Sequence, residues 1–364
     1  TGIVSVPAGT PADDYAIQYQ LCEKLNPTNC DVALINIRVL PPPIVATNDT
    51  SLPINGRTGS ASVLNAYTND TLNGLPIVLT EVTRTIVTPA SSIGGGLVPI
   101  LNTNTGVVSV PANTPAGIYT ITYRLCENLN PSNCDPATIT INVIAAPIVA
   151  NDDSVAGING YVGQSNALAI LPNDTLNGLP VALSDITIAV VTPALPIGGG
   201  SVPTLNPAIG QVSIPAGTTA GNYTIIYSIC EKLNPTNCDT ATINITVDTP
   251  IIDAVNDSVS NINGVLGQAN VLDALANDTL NGAAAQLSEI TIKVIAPAVP
   301  QGGNVPVLST TSGKVNVPAG TPAGTYTIVY QICEKLNPSN CDIATIKVGV
   351  GGSTIIATND QVLK

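Results

Sequence analysis

The stretch Tyr326-Thr327-Ile328-Val329-Tyr330-Gln331-Ile332-Cys333-Glu334-Lys335-Leu336-Asn337-Pro338-Ser339-Asn340-Cys341-Asp342 decides the fold. From Tyr326 to Ile332 the larger side chains fall on every second position, the period of a strand buried on one face. The two cysteines of this C-x7-C unit stand where one strand ends and the next begins. Their sulfurs can therefore meet across a hairpin mouth, closing a short loop at a gain of about 2.5 kcal/mol by loop entropy. A metal would require more ligands than two thiols, and the chain contains no His.

The same unit recurs at Cys22/Cys30, Cys126/Cys134 and Cys230/Cys238 besides Cys333/Cys341, with first members 104, 104 and 103 residues apart. A second marker, Asn-Asp-Thr-Leu-Asn-Gly, starts at Asn69, Asn173 and Asn277 with the same period. This divides the chain into a C-terminal part-repeat (1–42), three whole repeats (43–146, 147–250 and 251–350) and the first strand of another (351–364). The chain opens in mid-pattern at Thr1-Gly2-Ile3-Val4, so it reads as a window on something longer, with targeting signals outside it. Four local disulfides imply an oxidising, extracytoplasmic setting.

Inside each repeat, alternation at Glu289–Val294 and turn signals at Asn263-Gly264 and Asn281-Gly282 predict about seven short strands. The fold expected is all-β: tandem immunoglobulin-like sandwiches, end to end as a rod, each with a corner tyrosine (Tyr15, Tyr119, Tyr223, Tyr326) tying a loop to the sandwich. Short junctions marked by Pro, such as Val39-Leu40-Pro41-Pro42-Pro43, favour extended chain.

Composition narrows the function. The net charge of −13, with 11 scattered basic residues, offers no footprint for nucleic acid or anionic lipid. Pro, Asn or Thr breaks every apolar run before the length of a membrane helix. The stretches Gly94-Gly95-Gly96, Gly198-Gly199-Gly200 and Gly302-Gly303 lack the Lys-Ser/Thr and helix of a phosphate loop and read as mid-domain loops. No His base and no G-x-S-x-G nucleophile exist, and a Lys–Asn cross-link is disfavoured because Lys293 aligns with Ala189 and Thr85. The chain reads as a structural protein, not an enzyme.

Five acidic residues recur in register: Asp49, Asp70, Glu81, Glu127 and Asp135, then Asp153, Asp174, Asp185, Glu231 and Asp239, then Asp257, Asp278, Glu289, Glu334 and Asp342. In a seven-strand sandwich the start of the first strand and two turns share the pole facing the preceding repeat. The carboxylates there should gather at the interdomain joint, with the Glu81 position at its margin. Hard oxygen ligands of this kind suit Ca²⁺, with Asp49, Asp70 and Glu81, Asp153, Asp174 and Asp185, and Asp257, Asp278 and Glu289 as ligand sets. The competing reading is that these residues form Asx turns and strand ends, with the acids beside the disulfide solvated.

The patterns VLxxxxNDTLNG and VPAGTPAGTYTIxYxxCEKLNPxNCDxATI resemble the repeat of SprB-type gliding adhesins and related giant surface proteins of the Bacteroidetes, over almost the whole chain. The first half of each repeat resembles, more weakly, cadherin-like repeats of bacterial adhesins whose joints bind calcium. The resemblance implies type IX export, a place at the outer cell surface and service in a long adhesin filament. Partners are then neighbouring repeats of the same chain, with any external surface or glycan met by regions outside this segment. Two alternatives remain: a repeated glycan- or surface-binding module, which scarce aromatics disfavour, and a self-assembling pilus or sheath subunit. The resemblance also implies O-glycosylation at Asp-Ser/Thr sites, here Thr71, Ser154, Thr175, Thr240, Ser258 and Thr279. Mass spectrometry of native protein should find hexose-type adducts on those peptides, and unmodified peptides at every one of them would dispose of the expectation.

Overall fold

The computed structural model describes residues 1–352 and 356–358, and the strand expected at 351–364 therefore lies largely outside the described residues. Among the described residues all regular structure is β, and no helix is long and apolar enough to cross a membrane. The described residues form two compact units, one of 1–148, 175–179 and 230–238, the other of 149–174, 180–229 and the described chain from 239 onward. Their limits do not follow the repeat boundaries expected from sequence.

In the first unit a hairpin of β1 (Asp13–Cys22) and β2 (Cys30–Val39) precedes eleven further strands. These are β3 (Ile44–Val45), β4 (Asp49–Thr50), β5 (Ile54–Asn55), β6 (Ser60–Asn65), β7 (Thr71–Leu72), β8 (Leu75–Pro76), β9 (Val82–Thr88), β10 (Ile100–Leu101), β11 (Val107–Val110), β12 (Gly117–Glu127) and β13 (Cys134–Ile144). One sheet runs β4-β13-β12-β9, with β5 also on β13; the facing sheet runs β10-β11-β6, and β3-β7-β8 form a small third. β4 and β5 lie parallel to β13 (Asp49 opposite Ile139, Val143 opposite Ile54), whereas β12 and β13 are antiparallel from Gly117/Val143 to Cys126/Cys134. This is an immunoglobulin-like sandwich. Alternation along β12 sends Tyr119, Ile121, Tyr123 and Leu125 into one buried cluster with Val108, Val110, Ile139 and Ile141, and each such burial contributes roughly 1.5–3 kcal/mol.

The strands outnumber the seven expected because the first strand is broken into β3, β4 and β5 and because the two-residue pieces β7 and β8 add a small hairpin. The break between β3 and β4 has a cause: the N–H groups of Ala46 and Thr47 donate to the carboxylates of Asp135 and Asp70, and not to a neighbouring strand.

In the second unit, Asp153–Asn159 runs parallel to Cys238–Asp248, and Gln211–Ile214 lies between Gln164–Ala169 and Thr204–Asn206. Residues 252–351 repeat the whole arrangement, with the order Asp257–Asn263, Cys341–Gly351, Gly324–Glu334, Ile290–Ala296 in the larger sheet. The hairpin β1–β2 has the same internal register as β12–β13. Its Tyr19 and Leu21 are 46% and 73% exposed, where the matching Tyr123 and Leu125 are fully buried.

All four disulfides form, each across a Cα–Cα distance of 4.1 Å. The corner tyrosines also take the expected role: the hydroxyls of Tyr119, Tyr223 and Tyr326 donate to the carbonyls of Pro115, Thr219 and Pro322 at 2.9, 2.7 and 2.9 Å. The two Asn-Gly signals turn out to differ. Asn281-Gly282 has positive φ at both residues (55° and 76°) and makes the expected tight turn between Thr279–Leu280 and Ala283–Ala284. Asn263-Gly264 does not, and here glycine is required by close approach: a Cβ on Gly264 would lie 2.1 Å from the Thr321 carbonyl oxygen.

Two substitutions separate these contributions. Ile225→Ala should cost about 2–5 kcal/mol through the cavity it leaves, while Tyr223→Phe should cost about 1 kcal/mol for one hydrogen bond. Chemical denaturation of the two variants checks the ranking.

Candidate functional site at the repeat joints

The aspartates come together, but inside the sandwiches. Asp70, Asp174 and Asp278 are fully buried. Each accepts a backbone N–H on Oδ1, from Thr47, Asn151 and Val255 at 2.8, 2.8 and 2.7 Å. The second oxygen faces a tyrosine hydroxyl of the long strand, Tyr123, Tyr227 or Tyr330, at 2.8, 3.2 and 2.9 Å. Asp153 and Asp257 approach the same hydroxyls at 3.0 and 3.2 Å. At Tyr227 and Tyr330 one phenolic proton thus faces two carboxyl groups. Burial, with the neighbouring aspartate adding to it, raises the carboxyls of Asp49, Asp153 and Asp257 to about 6. Burial also raises Asp70, Asp174 and Asp278, and drives the three tyrosines far above their ordinary range.

The third position of each expected ligand set lies elsewhere. Glu81 is exposed, and its backbone carbonyl accepts the Asn128 N–H at 2.8 Å. Asp185 is half-buried, with Ser184 Oγ 3.2 Å from its Oδ1. Glu289 accepts a short hydrogen bond from the Tyr161 hydroxyl of the preceding repeat. Among the described residues there is no group of three or more His, Cys, Asp or Glu side chains that could hold a metal ion. The expected gathering of carboxylates at the joint gives way to inward-facing pairs, because backbone N–H groups and the tyrosine hydroxyl draw the aspartates in.

What does stand at the joint is the loop between the cysteines. Glu127, Glu231 and Glu334 are 5%, 0% and 1% exposed, not solvated. Their Oε2 atoms each accept two side-chain amides: Asn130 and Asn133 at 2.8 and 2.9 Å, Asn234 and Asn237 at 2.7 and 3.0 Å, Asn337 and Asn340 at 2.9 and 3.0 Å. The second asparagine also donates to the junction just before its own repeat, at the carbonyls of Pro42, Ala146 and Pro250. The first is left with its Oδ1 facing the preceding repeat. In the first unit that oxygen accepts the N–H of Ala12 on Asn130 (2.6 Å) and of Ala116 on Asn234 (2.7 Å). In the second unit Asn337 takes the Ala220 N–H at 2.8 Å.

A side-chain amide pair supports this bond. Asn55 Nδ2 donates to Asn177 Oδ1 at 2.8 Å in the first unit, and Asn159 Nδ2 to Asn281 Oδ1 at 2.7 Å in the second. The donor's own Oδ1 is fixed by the N–H two residues on, at Arg57 and Tyr161. The acceptor stands at the tip of the positive-φ turn, with Asn177 at 56° and Gly178 at 73°. Beside the Asn234 bond, Ile93, Pro115, Leu233 and Pro235 line a groove of about 650 Å³.

Sequence marks Asn281 only as a turn residue and gives the asparagines between the cysteines no role at the joint, although their identity in every copy is the available signal: Asn26, Asn130, Asn234 and Asn337, then Asn29, Asn133, Asn237 and Asn340. The expected glycosylation positions all lie in strands. Thr71, Thr175 and Thr279 are half-buried, and Ser154, Thr240 and Ser258 are exposed.

No known family model matches the chain, and no curated protein does. Among solved structures it is similar to mouse cadherin-23 EC22-24 (13% identity, TM-score 0.34, covering 86% of this chain and 99% of that one). It is also similar to Drosophila N-cadherin EC1-3 (13%, 0.34, 85% and 100%) and to the human desmocollin-1 ectodomain (11%, 0.31, 89% and 64%). The sandwich assignment rests on strand order and pairing, not on these likenesses.

The buried aspartates make stability depend on pH in a stated direction. Their folded values near 6 lie above the ordinary carboxylate value, so the folded state binds protons more tightly than the unfolded one. This contribution is complete below pH 4 or so and is lost as pH rises through about 6. Melting temperature should therefore fall between about pH 4 and pH 6 and level off above that, and Asp153→Asn with Asp257→Asn should flatten the slope.

Proposed function

We propose that this chain is a structural spacer of a long extracellular adhesin filament, holding a distal adhesive or motor-coupled element away from the cell. The observation that carries the reading is that successive joints use the same residues: a buried glutamate, two asparagines and a backbone N–H of the preceding repeat. A chemistry repeated at every joint serves architecture, because each added repeat meets its neighbour in the same way. The four disulfides fit an oxidising, extracytoplasmic location. Resemblance to gliding adhesins adds export by the type IX route and a place at the outer surface.

Small-angle scattering on the full chain tests the spacer role. An extended particle is expected, with beads at a regular spacing. A compact globule, or a profile of freely jointed beads, would sink the reading.

A further inference from the structure

We infer that the repeat joints are closed by a carboxylate-organised amide latch that needs no divalent cation. The inference concerns how the joints hold and does not depend on what the chain extends. Calcium is the ion that the recurring carboxylates pointed to, and the donors around them decide whether it fits. Such an ion takes six to eight oxygen ligands at about 2.3–2.6 Å.

At the joint before 251–350, the candidate oxygens already face hydrogens. Glu334 Oε2 accepts two Asn amides, Asn337 Oδ1 accepts the Ala220 N–H, and Asn281 Oδ1 accepts Asn159 Nδ2. Glu289 Oε1 faces the Tyr161 hydroxyl, and Asp342 Oδ2 holds the Ala254 N–H. A cation placed among these oxygens would meet the positive ends of N–H and O–H dipoles. The same donors recur at the joint before 147–250, with Asn234 on Ala116 and Asn177 on Asn55. Glu231 Oε1 and Glu334 Oε1 are buried without a partner, which is far short of a calcium shell.

The glutamate acts as organiser. Its charge makes the two amide bonds strong, and they hold the first asparagine with its oxygen turned outward before the neighbouring repeat arrives. That preorganisation lets one backbone N–H close the joint at little entropic cost. A carboxylate at the asparagine position separates the two possibilities. Asn337→Asp keeps an acceptor for the Ala220 N–H, loses the amide that binds Glu334 and sets two carboxylates together. A cation-held joint would gain a ligand from the same change.

The test is hydrogen exchange and thermal melting on the full chain, with calcium or with chelator. In the unaltered protein, protection at Ala116 and Ala220 and the melting temperature should be the same in both. Asn337→Ala removes the acceptor of the Ala220 N–H, and Asn337→Asp replaces the bond to Glu334 by repulsion that turns the acceptor away, so each should speed exchange at Ala220 by about tenfold, and calcium should not restore it. Protection or melting that rises with calcium in the unaltered chain would overturn the latch, as would Asn337→Asp made more stable by calcium. The unaltered chain alone can refute the proposal if a variant fails to fold.

Discussion

A carboxylate removed from water must be met by donors, and in each repeat that requirement shapes both the sandwich and its joint. Glu231 is fully buried, and its Oε2 is met by Asn234 and Asn237. These residues share one tight loop closed by Cys230 and Cys238, so the loop has little freedom left once that oxygen holds both amides. What this loop presents at the joint follows from that: an Asn oxygen of fixed direction and a second Asn tied to the junction carbonyl of Ala146.

The inner carboxylates follow the same requirement with a different outcome. Asp174 and Asp153 meet the single hydroxyl of Tyr227, and Asp239 takes the N–H of Ala150. Backbone donors that a continuous first strand would spend on its neighbour are thus turned to carboxylates. The strand breaks, and the start of the repeat is pinned to two other segments. Because two acidic groups compete for one proton, the arrangement favours a proton held within the site. Asp153, a surface acid in a one-dimensional reading, therefore behaves as a core residue, its carboxyl raised by burial to about 6.

The opposite pole of each repeat supplies the complementary half. Thr114 donates its N–H to the Gly56 carbonyl and its hydroxyl to Pro111, holding the loop that ends in Ala116. The glycine is required there by the close approach of the Thr114 carbonyl, a contact that has no mark in sequence beyond Asn-Gly itself. The loop and the Asn55 side chain then offer two donors, the Ala116 N–H and Asn55 Nδ2, to Asn234 and Asn177. Polar groups of matched geometry carry the joint, with apolar residues such as Ile93 and Pro115 alongside.

The period, the alternation that buries Tyr326, Ile328, Tyr330 and Ile332, the Cys333–Cys341 hairpin and the corner tyrosine are all legible in the order of residues. These are local properties: a strand of period two and a loop between two cysteines need no information from elsewhere in the chain. Tertiary structure alone decided which donor each oxygen faces. Asp257 and Asp278 meet at Tyr330 because three separate segments converge there, and Asn337 reaches Ala220 across a repeat boundary. An acid or amide in a sequence carries only its capacity for hydrogen bonds. Whether that capacity goes to a cation, to water or to a backbone N–H depends on what the fold brings within 3 Å, and here it brings protein donors.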